Sequence, residues 1–207
     1  MKRLLNKVGP IIHKYFKLFS IKGIEIHVHW SALVILLILA IIGAVRDPSL
    51  FIVYTGLLLI IFVHEMGHAY VARWLGYSCY RVTINFIFGK CWAQPPETLY
   101  ERALFAWGGV MFQCLLFLPA IVLIQFPLFN ASRYSTALLA TFSYLNGIWI
   151  AFNLAPTRRL DGGTAWKLVP ILYEFKVKPY FNSKQRAKKK PKHLTLVSTD
   201  ENEKKES

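Results

Sequence analysis

The sequence predicts an all-α membrane protein with about four transmembrane helices and a small β-hairpin at the membrane surface. The 207 residues are 55% hydrophobic, and the mean hydropathy is +0.38. Long apolar runs alternate with short polar turns, and the basic residues behind the net charge of +14 gather at the two ends. That grouping is typical of membrane topology. The central body lacks a basic surface with aromatic platforms, so we expect no nucleic-acid partner.

The apolar runs define the expected spans. They cover residues 30–45, 50–75, 103–126 and 134–155. A crossing helix needs about 20 apolar residues. The first run is short, so we expect residues 27–30 to extend it at the interface. Basic residues lie in the N-terminal segment, between the second and third runs, and after the fourth. The positive-inside rule therefore predicts that both termini are cytoplasmic.

The two ends of the chain differ from the body. Residues 1–23 mix lysines with apolar side chains and predict an amphipathic helix on the anionic membrane face. Residues 24–175 form the predicted core. Residues 176–207 are strongly basic and predict a disordered tail. We expect anionic lipid to bind both basic ends.

The second span contains the motif His-Glu-x-x-His at His64, Glu65 and His68. Ionisable groups are costly at bilayer depth, so three of them so close together indicate a function. The four-residue spacing puts both imidazoles on one helix face, within reach of a single metal ion. Glu65 lies where it could take a proton from a metal-bound water. The alternative is a hydrogen-bonded polar cluster inside a helical bundle.

Asp161 is the only carboxylate between Glu101 and Glu174, and it follows the fourth span. The predicted topology places it on the same side of the membrane as the two histidines. It is therefore a candidate third ligand for zinc, with the fourth position open to water. It also precedes a helical run, where Asp is a good N-cap. Position alone leaves both interpretations open.

Residues 80–88 alternate bulky and polar side chains, a period-two pattern that predicts a strand containing Tyr80, Val82 and Ile84. An open edge of such a strand could pair with an extended peptide. The alternative is an amphipathic connector. The three cysteines form no CxxC pair and no disulfide framework, so we expect small core residues there.

Two motifs together resemble the site-2 protease family of intramembrane zinc proteases. They are HEMGH, followed by Ala-Arg-Trp-Leu-Gly at 72–76, and the stretch NLAPTRRLDGG at 153–163. The resemblance covers about residues 24–166. It implies that His64, His68 and Asp161 bind zinc and that Glu65 is the catalytic base. It also implies that Asn153 holds the substrate backbone, and that the strand beginning at Tyr80 lies near the substrate.

Two positions depart from the family pattern. Arg159 stands where the family has proline, and residues 109–113, GVMFQ, replace a Gly-Pro-Leu element followed by Asn. Gln113 can substitute for that Asn by hydrogen bonding, which makes it a candidate substrate-binding residue. The chain most resembles the minimal, sporulation-type branch, without that branch's later spans. This resemblance implies a bacterial cell membrane.

The expected activity is hydrolysis of a peptide bond within or near a transmembrane segment of a membrane-protein substrate. A regulatory membrane protein is a further candidate partner. One alternative is a catalytically silent scaffold of the same fold that binds client helices. Another is a metal-ion transporter, which would need polar groups along a path, and the first and third spans supply almost none.

Overall fold

A computed structural model describes residues 15–130 and 132–177. The strands are β1 (Tyr15–Ile21), β2 (Ile24–His29), β3 (Cys79–Ile84) and β4 (Gly89–Ala93). The long helices are α1 (Trp30–Val45), α2 (Ser49–Trp74), α3 (Leu99–Leu123) and α4 (Arg133–Asn153), the last with a π-helical segment at Thr141–Leu145. A 3₁₀ turn at Pro127–Asn130 precedes α4, and the short helix α5 (Gly162–Ala165) follows it.

The chain divides into two compact units. Unit one is Met1–Leu168 and holds every element named so far. Unit two is Val169–Ser207. Its described part contains most of the short helix α6 (Leu168–Leu172) and a π-helical turn at Tyr173–Val177. The predicted basic tail lies almost entirely outside the described residues.

The four strands form one sheet in the order β1-β2-β3-β4, so the protein is mostly helical with a small mixed sheet. β2 and β3 are parallel, and the outer pairs are antiparallel. The prediction of a helix over residues 1–23 is wrong at Tyr15–Ile21, because this segment is a strand. Residues 1–14 lie outside the described residues. The pair Lys22-Gly23, with φ of 46° and 80°, forms the tight turn that joins β1 to β2. This turn favours a hairpin over a continuous helix.

The predicted strand at residues 80–88 is present, but its surroundings differ from the prediction. β3 ends at Ile84 and hydrogen-bonds to both β2 and β4. It therefore has no open edge, and the expectation that this strand pairs with a peptide is wrong. Val82 and Ile84 are buried in the core, whereas Tyr80 is exposed. Among the described strands, β4 is the one at this edge of the sheet.

Three helices in the described ranges, α2, α3 and α4, are long and apolar enough to cross a membrane. The count of four is not confirmed, because α1 has 16 residues and reaches about 24 Å against a hydrocarbon core of about 30 Å. The residues expected to lengthen it, His27 to His29, belong to β2. The coarser prediction of an integral membrane protein stands.

The sheet lies against the C-terminal half of α2. Buried Ile26 and Val82 from the sheet belong to the same apolar cluster as Ala69 and Ala72 of α2. Arg73, at the end of α2, donates hydrogen bonds to the carbonyls of Lys22 and Cys79. These contacts hold both hairpins beside the His-Glu-x-x-His motif.

Candidate metal centre

His64 and His68 lie one turn apart on α2 and are 6% and 4% exposed. Their Nε2 atoms are 3.0 Å apart. The helical spacing predicted from the sequence therefore brings both imidazoles to one point. Two ring nitrogens that face each other at this distance repel unless a proton or a cation lies between them.

Each ring is oriented through its other nitrogen. Nδ1 of His64 is 2.9 Å from Oε1 of Gln113, and Nδ1 of His68 is 2.8 Å from the carbonyl oxygen of Phe105. Both partners are acceptors, so each neutral imidazole carries its proton on Nδ1. Nε2 then presents a lone pair. This is the arrangement in which histidine binds a metal.

Asp161 completes the cluster. Its Oδ2 lies 3.0 Å from Nε2 of His64 and 3.1 Å from Nε2 of His68. Zinc with bonds of about 2.05 Å and tetrahedral geometry holds its ligand atoms about 3.3 Å apart, so the donor set fits that ion. Although Asp161 precedes α5, its side chain caps no helix.

Two tryptophans fix the loop that carries Asp161. Trp166 Nε1 donates to the carbonyl of Leu154 at 2.7 Å, and Trp107 Nε1 donates to the carbonyl of Ala165 at 3.0 Å. The segment between α4 and α5 is thereby held at both ends. As a result, Asp161 meets residues that precede it by more than ninety positions.

Glu65 is 7% exposed and lines the same cavity as the two histidines. The backbone N–H of Cys91 on β4 donates to its carboxylate. A Cβ at Gly89, also on β4, would lie 2.3 Å from Cγ of Glu65. The hairpin strand thus packs directly against this carboxylate, and only glycine allows that approach.

Gln113 occupies a different place from the one predicted. It is fully buried, and besides contacting His64 its Nε2 donates to Oδ1 of Asn146 at 3.2 Å. Asn146 in turn donates to the backbone carbonyl of Gln113 at 3.2 Å. Gln113 therefore orients a histidine and does not line the cavity described below, so its contact with substrate stays a prediction. Sequence reasoning missed Asn146; an amide within an apolar span was the available signal.

The helix packing makes room for this network. A Cβ at Gly109 would lie 2.5 Å from Cε1 of His64, and one at Gly67 would lie 2.2 Å from the carbonyl oxygen of Gly108. The glycine pair at 108–109 is thus the point where α2 and α3 approach each other closely. A side chain there would push α3 away from α2 and displace the His64 ring.

A cavity of about 290 Å³ opens beside the cluster. Its lining comes from α2, the hairpin, α3, the end of α4 and the loop at 159–161. Asn153 lines it, and its Nδ2 is buried with no partner in the described part of the chain. Tyr80, Val82 and Ile84 do not line the cavity; residues 87–91 do.

Two cations also line the cavity, Lys90 from β4 and Arg159 from the loop. Lys90 stacks on Trp92, with Nζ 3.9 Å from the ring centroid. Sequence reasoning treated Arg159 as a departure from a motif and used Lys90 only as a marker of membrane topology. Nothing in the sequence indicates that Lys90 and Arg159 line the same cavity.

Fold and cluster together define a class of protein: a multi-pass membrane protein with a His-Glu-x-x-His metal centre of the metallopeptidase type. Comparisons with known proteins agree. Residues 52–113 match the model of peptidase family M50. A zinc metalloprotease of Methanocaldococcus jannaschii is 31% identical over 152 residues, which are 71% of this chain and 43% of that protein.

A solved structure, a site-2 protease from Methanocaldococcus jannaschii, shares the fold. It has a TM-score of 0.53 and 24% identity, over 79% of this chain and 74% of that one. The chain is thus similar to peptidase family M50 and to a zinc metalloprotease, and these similarities support the resemblance drawn from the two motifs. It spans less than half the length of the curated relative that it matches.

Proposed function

We propose that the protein is a zinc metalloprotease that hydrolyses a peptide bond within or near a transmembrane segment of a membrane-protein substrate. One observation carries this proposal: two Nε2 atoms and Oδ2 of Asp161 lie 3.0–3.1 Å apart, while both Nδ1 atoms contact acceptors. His64, His68 and Asp161 would hold the zinc, a set of three protein ligands that is typical of catalytic zinc sites.

Zinc, when bound, lowers the pKa of water and polarises the scissile carbonyl. Glu65 accepts a proton from the attacking water and later gives it to the leaving amine. The N–H of Cys91 holds the carboxylate of Glu65 in place for both transfers. Gln113 and the carbonyl of Phe105 keep the two imidazoles in the required tautomer.

The substrate binds in extended form between Asn153 and β4. A transmembrane helix hides its carbonyls in its own hydrogen bonds, so it must unwind before hydrolysis. The unpaired Nδ2 of Asn153 is a donor for the exposed substrate backbone. The outer edge of β4, the last strand of the sheet, offers the backbone groups of an added strand. This edge replaces the β3 edge predicted from the sequence.

The metal centre faces the cytoplasm. Arg73, Lys90 and Arg102 lie on the membrane side to which α2 runs, and a basic excess marks the cytoplasmic side. Water enters from that side through the cavity. Both termini lie there as well, where their lysines contact anionic lipid.

The scaffold alternative drew its support from the two departures from the family pattern. Gln113 nevertheless contacts His64, and Arg159 lines the cavity without displacing Asp161. Neither departure breaks the ligand set. The departures therefore favour altered substrate handling over lost catalysis.

The test is zinc content together with cleavage of a co-expressed single-span substrate, for wild type and Glu65→Gln. We expect both proteins to contain zinc and only wild type to cleave. Glu97→Gln is the matched control, because Glu97 is exposed and outside the cavity. Zinc without cleavage in wild type, and no difference between the variants, would support the scaffold.

A further inference from the structure

Cys79 and Cys91 face each other across the β3–β4 hairpin. Their Sγ atoms are 3.4 Å apart, and both thiols are free. In the register Cys79 lies opposite Ala93 and Cys91 opposite Val82, with an irregularity after Cys79. A disulfide has an S–S bond of about 2.05 Å. A movement of roughly 1.4 Å between neighbouring strands would therefore form the bond.

The two sulfurs differ in access. Cys79 is 3% exposed, whereas Cys91 is half-buried and lines the catalytic cavity. A small oxidant that enters the cavity therefore meets Cys91 first. The hydrogen bond from Cys91, helped by the guanidinium of Arg73, lowers the pKa of Cys79 to about 7. The pair thus carries a thiolate near neutral pH, and the shared proton can move between the sulfurs.

Cys91 is also the residue that holds the proposed base. Its backbone N–H donates to the carboxylate of Glu65. Gly89, two residues earlier on the same strand, packs against Cγ of Glu65. A shift of β4 toward β3 therefore changes both contacts of this carboxylate at once.

We propose that Cys79 and Cys91 are a redox pair, that a hydroperoxide converts them to a disulfide, and that the disulfide lowers proteolysis by moving β4 relative to Glu65. The effect on proteolysis rests on the proposed function; the formation of the disulfide does not. Disulfides on the cytoplasmic side of a membrane are transient, and they are commonly catalytic or redox-sensing.

The chemistry balances with one hydroperoxide. The thiolate of the pair attacks the peroxide, its sulfur takes one oxygen, and the O–O bond breaks to release hydroxide. The thiol of the other cysteine then attacks the sulfenic sulfur, the S–S bond forms, and the oxygen leaves as water. With hydrogen peroxide, two thiols and one peroxide give one disulfide and two waters. A dithiol reductant reverses the step.

The experiment treats the purified full chain with hydrogen peroxide and maps the thiols by alkylation and mass spectrometry. We expect a peptide pair linked through Cys79 and Cys91, with Cys114 still alkylated. Cleavage should fall by up to about a hundredfold, the loss that a misplacement of about 1 Å can cause. Dithiothreitol should restore it. Independent alkylation of both thiols after peroxide treatment would overturn the proposal.

Cys79→Ala separates the pair from general oxidation damage. Cys79 lies in the core and does not line the cavity. This variant should keep its reduced-state activity and lose peroxide sensitivity, whereas Cys114→Ala should remain sensitive. If Cys79→Ala fails to fold, reversal by dithiothreitol in wild type decides the same point. A variant that folds and is inhibited as strongly as wild type would contradict the proposal.

Two readouts distinguish this inference from the proposed function. Hydrogen exchange of the peptide that covers β4 should change between the reduced and oxidised protein, whether or not a substrate is cleaved. The reduced protein could show no cleavage while the peroxide-treated protein shows the linked pair and altered exchange. That result would remove the protease proposal but keep the redox pair. A linked pair with unchanged exchange and unchanged cleavage would overturn the coupling to Glu65.

Discussion

The cavity beside the candidate metal centre has two sides that are built in different ways. The helix side comprises His64 and His68 with their partners Gln113 and Phe105, and it is buried and hydrogen-bonded. The hairpin side is residues 89–91 of β4, which ends the sheet and has an unpaired edge. A packed polar network keeps ligands in one geometry. An edge strand is free to pair or to move. We infer that the helix side performs the chemistry and the hairpin side controls access to it.

The charges follow the same division. Glu65 and Asp161 are the carboxylates that line the cavity, and Lys90 and Arg159 are the cations there. The anions belong to the proposed zinc chemistry, whereas among the described residues the ion pairs of Asp161 are with the two histidines and not with either cation. Changes on the helix side should therefore affect metal binding, and changes on the hairpin side should affect turnover or substrate affinity.

The largest effect is expected for Asp161→Ala. This change removes one of three ligands, so we expect loss of stoichiometric zinc and cleavage at background. Zinc per purified chain measures it. Asp47→Ala, a carboxylate in the turn before α2, should retain full zinc. Unchanged zinc in Asp161→Ala would remove Asp161 from the site.

Gln113→Leu tests the helix side without touching a ligand. It removes the acceptor for His64 and the donor to Oδ1 of Asn146. Loss of such an outer contact lowers metal affinity about 10- to 100-fold. Competition with a chelator measures this affinity. Met111→Leu, on the exposed face of the same helix, should match wild type; equal affinities in all three proteins would contradict the assigned role of Gln113.

Gly89→Ala tests the hairpin side. The added Cβ would overlap the side chain of Glu65, so cleavage should fall about tenfold or more while zinc affinity stays at the wild-type level. Trp92→Phe, on the same strand, is the control. A loss of zinc equal to the loss of cleavage would show that the two sides are not separable.

The smallest effect is expected for Arg159→Gln. An exposed ion pair contributes about 0.2–1 kcal/mol, so KM for a substrate with an acidic residue near the scissile bond should rise about two- to fivefold at low salt, with kcat unchanged. Arg158→Gln, whose side chain does not line the cavity, should behave as wild type. A change in kcat would place Arg159 in the chemistry instead.

Local patterns in the sequence predicted many of the site residues. The spacing of His64 and His68 encodes a helix face, and that face forms. Asp161 could be placed beside them only through topology and the family motif, because a contact across more than ninety residues has no local signature. The role of Gln113 depended on which way one helix face points. That orientation is fixed by α2 packing on α3, not by local sequence.

The sheet was the least predictable part. β1 contains lysine among aromatic residues, a composition that also suits an amphipathic helix, and pairing with β2 decides in favour of the strand. The pairing of β2 with β3 joins strands more than fifty residues apart and removes the edge predicted for β3. The contact between Cys79 and Cys91 depends on a register irregularity that the sequence does not show.

X-ray absorption at the zinc edge of the purified full chain tests the central claim most directly. We expect nitrogen and oxygen scatterers only, at about 2.0–2.2 Å, from His64, His68 and Asp161. The protein offers one competing thiol pair, Cys79 and Cys91. A sulfur shell at about 2.3 Å would place the zinc on that pair and contradict the account.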